Sequence, residues 1–112
     1  MKYKALLFIS ILLLLSACSK PIDESKKDYI GTWQGPEMTL TISKNGKVKY
    51  KRVRGNASTS LDAPLKEFTN EGFIVGVSFF TTTFVVSEKP HLVDGQWQMV
   101  VDDVLLTRKA DW

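Results

Sequence analysis

Apolar and polar residues alternate along Met38-Thr39-Leu40-Thr41-Ile42-Ser43 and again along Val48-Lys49-Tyr50-Lys51. A period of two is that of a strand with one buried face. Between the two runs lies Lys44-Asn45-Gly46-Lys47. A two-residue turn at 45–46 would set Ile42 against Lys49 and Leu40 against Lys51. A three-residue turn at 44–46 sets Ile42 against Val48 and Leu40 against Tyr50. One residue of slip moves a whole face, so the second register is predicted, with Gly46 left-handed in a bulge after a type I turn.

The last third of the chain shows the same alternation. Gln96-Trp97-Gln98-Met99-Val100-Val101 and Val104-Leu105-Leu106-Thr107-Arg108 flank Asp102-Asp103. A two-residue turn pairs 101 with 104, 99 with 106 and 97 with 108. Trp97, Met99, Val101, Val104 and Leu106 then share one apolar face, and Arg108 lies across from Trp97 within stacking reach. In between, Phe73-Ile74-Val75-Gly76-Val77-Ser78-Phe79-Phe80 and Thr81-Thr82-Thr83-Phe84-Val85-Val86 are β-branched and aromatic. They read as two strands, or as one long strand bent near Thr81. Arg54–Ser60 reads as a small polar loop. Pro64 limits any strand over Leu61–Phe68 to a short or edge one, and Glu88-Lys89-Pro90-His91 reads as a break. The sum is an all-β fold: a small antiparallel meander of seven or eight short strands, closed into a barrel or folded as a sandwich.

The amino end follows another pattern. Met1-Lys2-Tyr3-Lys4 is basic, and the next eleven residues, Ala5–Leu15, are almost wholly apolar. A spanning helix needs about 20 apolar residues. A short apolar run behind a basic start is the pattern of a secretory signal. The run ends Leu15-Ser16-Ala17-Cys18: an aliphatic residue, two small residues, then cysteine. This resembles the lipobox of bacterial prolipoproteins. The resemblance implies diacylglyceryl attachment at the Cys18 thiol, cleavage of the signal peptide 1–17 after Ala17, and export. Several acyl chains on one cysteine would hold the protein firmly, since each buried CH₂ contributes about 0.8 kcal/mol. Ser19 follows, where aspartate would resemble an inner-membrane retention signal. The expected location is the outer membrane facing the periplasm in a Gram-negative source, otherwise the outer face of the plasma membrane. Cys18 is the only cysteine, so no intrachain disulfide can form.

Removing 1–17 leaves 95 of the 112 residues, enough for one domain with a modest core. Residues 18–28 are read as the lipidated cysteine and a polar, flexible tether, and 29–112 as the β domain. The formal charge of +3 includes Lys2 and Lys4; without them it is +1, which gives no support for nucleic-acid binding. Five of the thirteen cations that remain fall in one stretch. Lys47, Lys49 and Lys51 fall on the outer face of the first hairpin, and Arg52 and Arg54 continue the stretch on the other parity. They are candidates for contact with anionic lipid or glycan, against a solvated face whose lysines discourage edge pairing.

Chemistry is sparse. His91 is the only histidine and has no cluster of Cys, Asp or Glu beside it, so no metal site is expected. Asp102-Asp103 are read as turn residues holding backbone amides. No glycine-rich phosphate loop and no nucleophile elbow occur. The expectation is a non-enzyme with neither cofactor nor metal, monomeric apart from its anchor. Its expected partners are the membrane, through lipid on Cys18, and an envelope protein or the cell-wall layer.

Gly31-Thr32-Trp33 resembles the Gly-x-Trp start of lipocalin-like barrels. That resemblance implies that Trp33 packs against a basic residue of the last strand, the part open to Arg108, with Trp97 across from it. It brings an alternative function, a carrier of a small apolar ligand. The two readings differ in core volume. An interior filled by Trp33, Phe73, Phe79, Trp97 and their neighbours favours a binding or structural module. An open pocket of at least about 300 Å³ favours a carrier.

Overall fold

A computed structural model describes residues 20–109. The signal and lipobox reading, residues 1–18, lies outside them. The described chain is an up-and-down barrel closed in sequence order. Its strands are β1 (Gly31–Gly35), β2 (Met38–Ile42), β3 (Lys47–Arg54), β4 (Ala57–Phe68), β5 (Gly72–Val77), β6 (Phe80–Val93), β7 (Gln96–Val101) and β8 (Val104–Arg108). Every neighbour is antiparallel, and β8 pairs with β1 through Trp33–Arg108 and Gln34–Thr107. A closed sheet leaves no free edge.

The first hairpin adopts the predicted register, with Ile42 opposite Val48 and Leu40 opposite Tyr50. Gly46 has φ +88, and its amide donates to the Ser43 carbonyl at 3.0 Å. The terminal hairpin also has the predicted pairs, Val101–Val104 and Met99–Leu106. Asp102 (φ +48) and Asp103 (φ +66) take the two left-handed positions that a tight hairpin needs. Asp102 Oδ1 accepts the Val85 amide at 2.9 Å, so this carboxylate serves a backbone group on the neighbouring strand.

The middle of the chain differs from the sequence reading in three places. Arg54–Ser60 is not a loop: β3 and β4 turn at Gly55-Asn56 and pair from Arg54–Ala57 down to Lys47–Pro64. Pro64 does not shorten its strand, because it stands at a hand-over. Above it β4 pairs with β3; from Leu65 on it pairs with β5 across a bulge. The 73–86 run takes the two-strand alternative of the sequence reading, turning at Ser78-Phe79. Glu88–His91 does not break β6, which continues to Val93; Pro90 falls in the register shift between Glu88 and His91. Bulges let a small sheet curl enough to close.

The segment read as tether is also structured from Lys20 onward. Glu24–Tyr29 form a 3-10 helix, and the Ile22 amide donates to the Lys44 carbonyl at 3.0 Å. Ile22 and Tyr29 supply the reason, since both pack on the core cluster where a polar tether would bury nothing. Tyr29 is 6% exposed. The barrel therefore has a closed end, covered by this helix, and an opposite end formed by the β1–β2, β3–β4, β5–β6 and β7–β8 turns.

A methyl group on Gly46 would run into the Lys20 carbonyl and sit at a φ that side chains avoid. Gly46→Ala is expected to destabilise the barrel by more than about 1 kcal/mol in urea denaturation. Hydrogen exchange at the Ile22 amide should accelerate in the same variant, as the docked segment lifts.

Candidate functional site

The structure brings together the three residues suggested by the Gly-x-Trp resemblance. Trp33 on β1 is fully buried. Its Nε1–H donates to the Tyr29 carbonyl at 2.9 Å, which fastens the capping helix to the barrel wall. Arg108 on β8 lies between two indoles, its Cζ 5.7 Å from the Trp33 ring and 4.9 Å from the Trp97 ring. It also donates to the Ile30 carbonyl at 3.4 Å. Gly31 makes room for this arrangement, since a Cβ there would stand 2.7 Å from Arg108 Cδ. The cluster closes the seam of the barrel and is structural.

Above it runs a column of rings. Tyr29 meets Phe68 at 5.0 Å and Phe73 at 6.2 Å. Phe73 stacks on Phe84 at 5.1 Å, and Phe84 meets Tyr50 edge-on at 5.1 Å. With Met38, Leu40, Met99 and Leu106 these rings fill the axis of the barrel. Phe79 is not among them, contrary to expectation. It sits on the β5–β6 turn, 81% exposed, against Phe80 at 72%. Phe84 occupies the interior instead, because the turn at 78–79 sets the parity of β6.

The five cations of β3 are divided by the pleat. Lys47, Lys49 and Lys51 are exposed on the outer wall, where Lys49 lies between Thr41 and Asp62 and Lys51 between Thr39 and Ser60. Arg52 and Arg54 share the inner face with Val48 and Tyr50 and stand at the open end. They line a cleft of about 250 Å³ together with Tyr50, Ala57 and Thr59. Arg52 Nε is enclosed and has no hydrogen-bond partner. Among the described residues, the salt bridges are Lys27–Glu24 and His91–Glu88, so neither arginine is paired. This cleft is the candidate site. The sequence reading had its two arginines on the opposite parity from the lysines but grouped all five cations as one contact for anionic lipid or glycan. The parity of β3, already set by the Leu40–Tyr50 pairing, is the signal that separates them.

His91 lies on β6, not in a loop; its Nδ1 is 2.7 Å from the Lys89 carbonyl, and it is exposed. No three metal-ligating side chains come together among the described residues.

Comparison with models of protein families, with curated proteins and with solved structures found no match. The residues themselves therefore carry the functional argument.

Two outcomes follow from the closed end. Arg108→Ala removes two ring contacts and a hydrogen bond and is expected to cost about 2 kcal/mol in urea denaturation; Arg108→Lys, which lacks the planar stack, should recover less than half. Burial raises the Tyr29 phenol above its ordinary value. The unfolded chain then releases this proton before the folded one, so the contribution of Tyr29 is whole below about pH 10 and is lost as pH rises through the folded value. Tyr29→Phe should therefore lose less stability than the parent between pH 8 and pH 11.

Proposed function

We propose that this chain is a lipid-anchored protein of the bacterial envelope that acts as a non-catalytic binding module, with its contacts made at the open end of the barrel. The observation that carries the binding-module reading is the filled interior. A carrier of an apolar ligand needs space along the axis, and Trp33, Phe73, Phe84 and Met99 occupy it. What is left for recognition is the rim: the arginine cleft and the exposed Phe79–Phe80 turn.

The anchor reading rests on the lipobox resemblance, and the geometry of the closed end gives it a consequence. Lys20 and Ile22 run beside the Lys44–Gly46 turn, at the end opposite the cleft. Cys18 is two residues away, a reach of about 7 Å at most. A lipid at Cys18 would hold the capped end toward the bilayer and turn the arginine cleft away from it. The cleft would then meet soluble or wall-borne partners, and the outer-wall lysines nearest Lys44 would meet headgroups.

Labelling cells with an alkyne fatty acid tests the anchor. The parent chain should carry label and migrate as the processed form, whereas Cys18→Ala should carry none and accumulate as precursor. Equal label on both would end the anchor reading.

A further inference from the structure

We infer that the cleft at the open end is a binding site for a small organic carboxylate, held by Arg52 and Arg54. It deepens the binding-module reading and does not depend on the anchor.

The argument starts from an imbalance. β3 sends Tyr50, Arg52 and Arg54 to one face at successive inner positions, and β4 sets Leu61, Thr59 and Ala57 opposite them. Two guanidinium groups are thus neighbours two residues apart on one strand, with a hydroxyl and a methyl as their cross-strand partners. Two positive charges lining one cleft repel each other, and an anion between them removes that repulsion. Arg52 is half-buried, and its Nε is enclosed without an acceptor. A charged donor kept from water and left unpaired is among the costlier features a fold can carry. Glu37 and Asp103 line the adjoining cleft with Arg52, yet neither forms an ion pair with it. The protein therefore supplies the cationic half of a pair and withholds the anionic half.

The surroundings select the class of anion. A guanidinium fork matches a planar carboxylate with two parallel hydrogen bonds. The floor of the cleft is the Tyr50 ring, seated edge-on against Phe84, and Ala57 adds a methyl wall. A carbon skeleton gains from that floor, and inorganic phosphate does not. A volume of about 250 Å³ lies just under the range usual for drug-sized ligands. It suits a short acid, whether free or as the terminus of a peptide.

Residues 19–112, which contain the whole closed barrel and no cysteine, serve for the test. The arginine Nε–H signals are followed in ¹H–¹⁵N spectra at constant ionic strength. One arm adds hexanoate, with hexanamide as its control. A second adds acetyl-Ala-Ala with a free carboxylate, with its amide as control. A third adds inorganic phosphate. Saturable movement of the Arg52 signal with either acid, and not with its amide, is expected. Arg54→Gln, at an exposed position, should weaken binding at least tenfold; Arg52→Gln should abolish it; Lys49→Gln should leave it unchanged. Tighter binding of hexanoate assigns a free acid, and tighter binding of the peptide assigns a chain terminus. Three results overturn the inference: no movement with either acid, a response to phosphate alone, or binding that survives Arg54→Gln. So would a signal moved by Glu37→Gln in the free protein and by no added acid, because Glu37 would then be the missing partner. Equal fatty-acid label on the parent and Cys18→Ala, which ends the anchor reading, leaves every one of these outcomes intact.

Discussion

The barrel depends on what happens at its seam. Seven of its eight strand pairs join elements adjacent in sequence, and each can form locally. The eighth, β1 with β8, joins the two ends of the domain and rests on a register of only two pairs. So short a ladder needs side-chain support. Trp33 supplies it as a buried surface shared by both strands, Arg108 by spanning two indoles, and the Lys109 amide by donating to the Thr32 carbonyl at 2.8 Å. The same indole holds the capping helix through the Tyr29 carbonyl. Seam and cap therefore share one residue. A change that displaces Trp33 would open the sheet and uncover its end together.

Which parts of this were readable beforehand follows from where the strong local signals lie. The two outer hairpins were readable because period-two alternation leaves one register that gathers Leu40, Ile42, Val48 and Tyr50 on one face, and one that gathers Met99, Val101, Val104 and Leu106; in the first hairpin that register outweighs the two-residue turn that Asn45-Gly46 would suggest. The middle is less legible because its prolines and small polar residues carry the local signature of strand boundaries without ending a strand. Pro64 and Pro90 stand where β4 and β6 shift register or change partners. A proline needs only a place in the ladder where its missing donor is not wanted. The Asp94–Gly95 dipeptide, a strong two-residue hairpin signal, marks the true end of β6 with φ +50 and +81. The Ser78–Phe79 turn has no such marker, which is why Phe79 was placed in the core. The capping helix was hidden for a different reason. Residues 20–28 are polar in composition; Ile22 and Tyr29, seven positions apart, pack on the core, and Lys26 lies over the Phe68 ring.

Size explains why the proposed recognition falls to an end of the barrel. The aromatic column from Tyr29 to Tyr50 meets Met38, Met99 and Leu106 across the axis with no buried polar side chain among the core residues. Eight strands enclose a volume that side chains of this size fill. Emptying it to hold a ligand would remove the burial that stabilises a domain of fewer than 100 residues, where little is to spare. The ends are not equivalent either. One is sealed by aromatic rings and carries the amino-terminal segment, and the other is ringed by four turns.

The cleft follows from the same pleat that builds the core. The inner face of β3 reads Val48, Tyr50, Arg52, Arg54 from the closed end outward, and the outer face reads Lys47, Lys49, Lys51, Val53. Lysine suits the outer face because its ammonium stays hydrated on a flexible stem. Arginine suits the inner rim because a delocalised guanidinium tolerates partial burial against Tyr50 and still offers fixed donors. The exchange from apolar to aromatic to cationic along a single inner face turns a packed core into a charged mouth over three residues. A strand in which Arg52 were apolar would continue the core to the rim, as Val48 does below. Arg52 gives up that burial and leaves an enclosed donor unpaired, a local cost that the rest of the barrel bears and that an incoming carboxylate would remove.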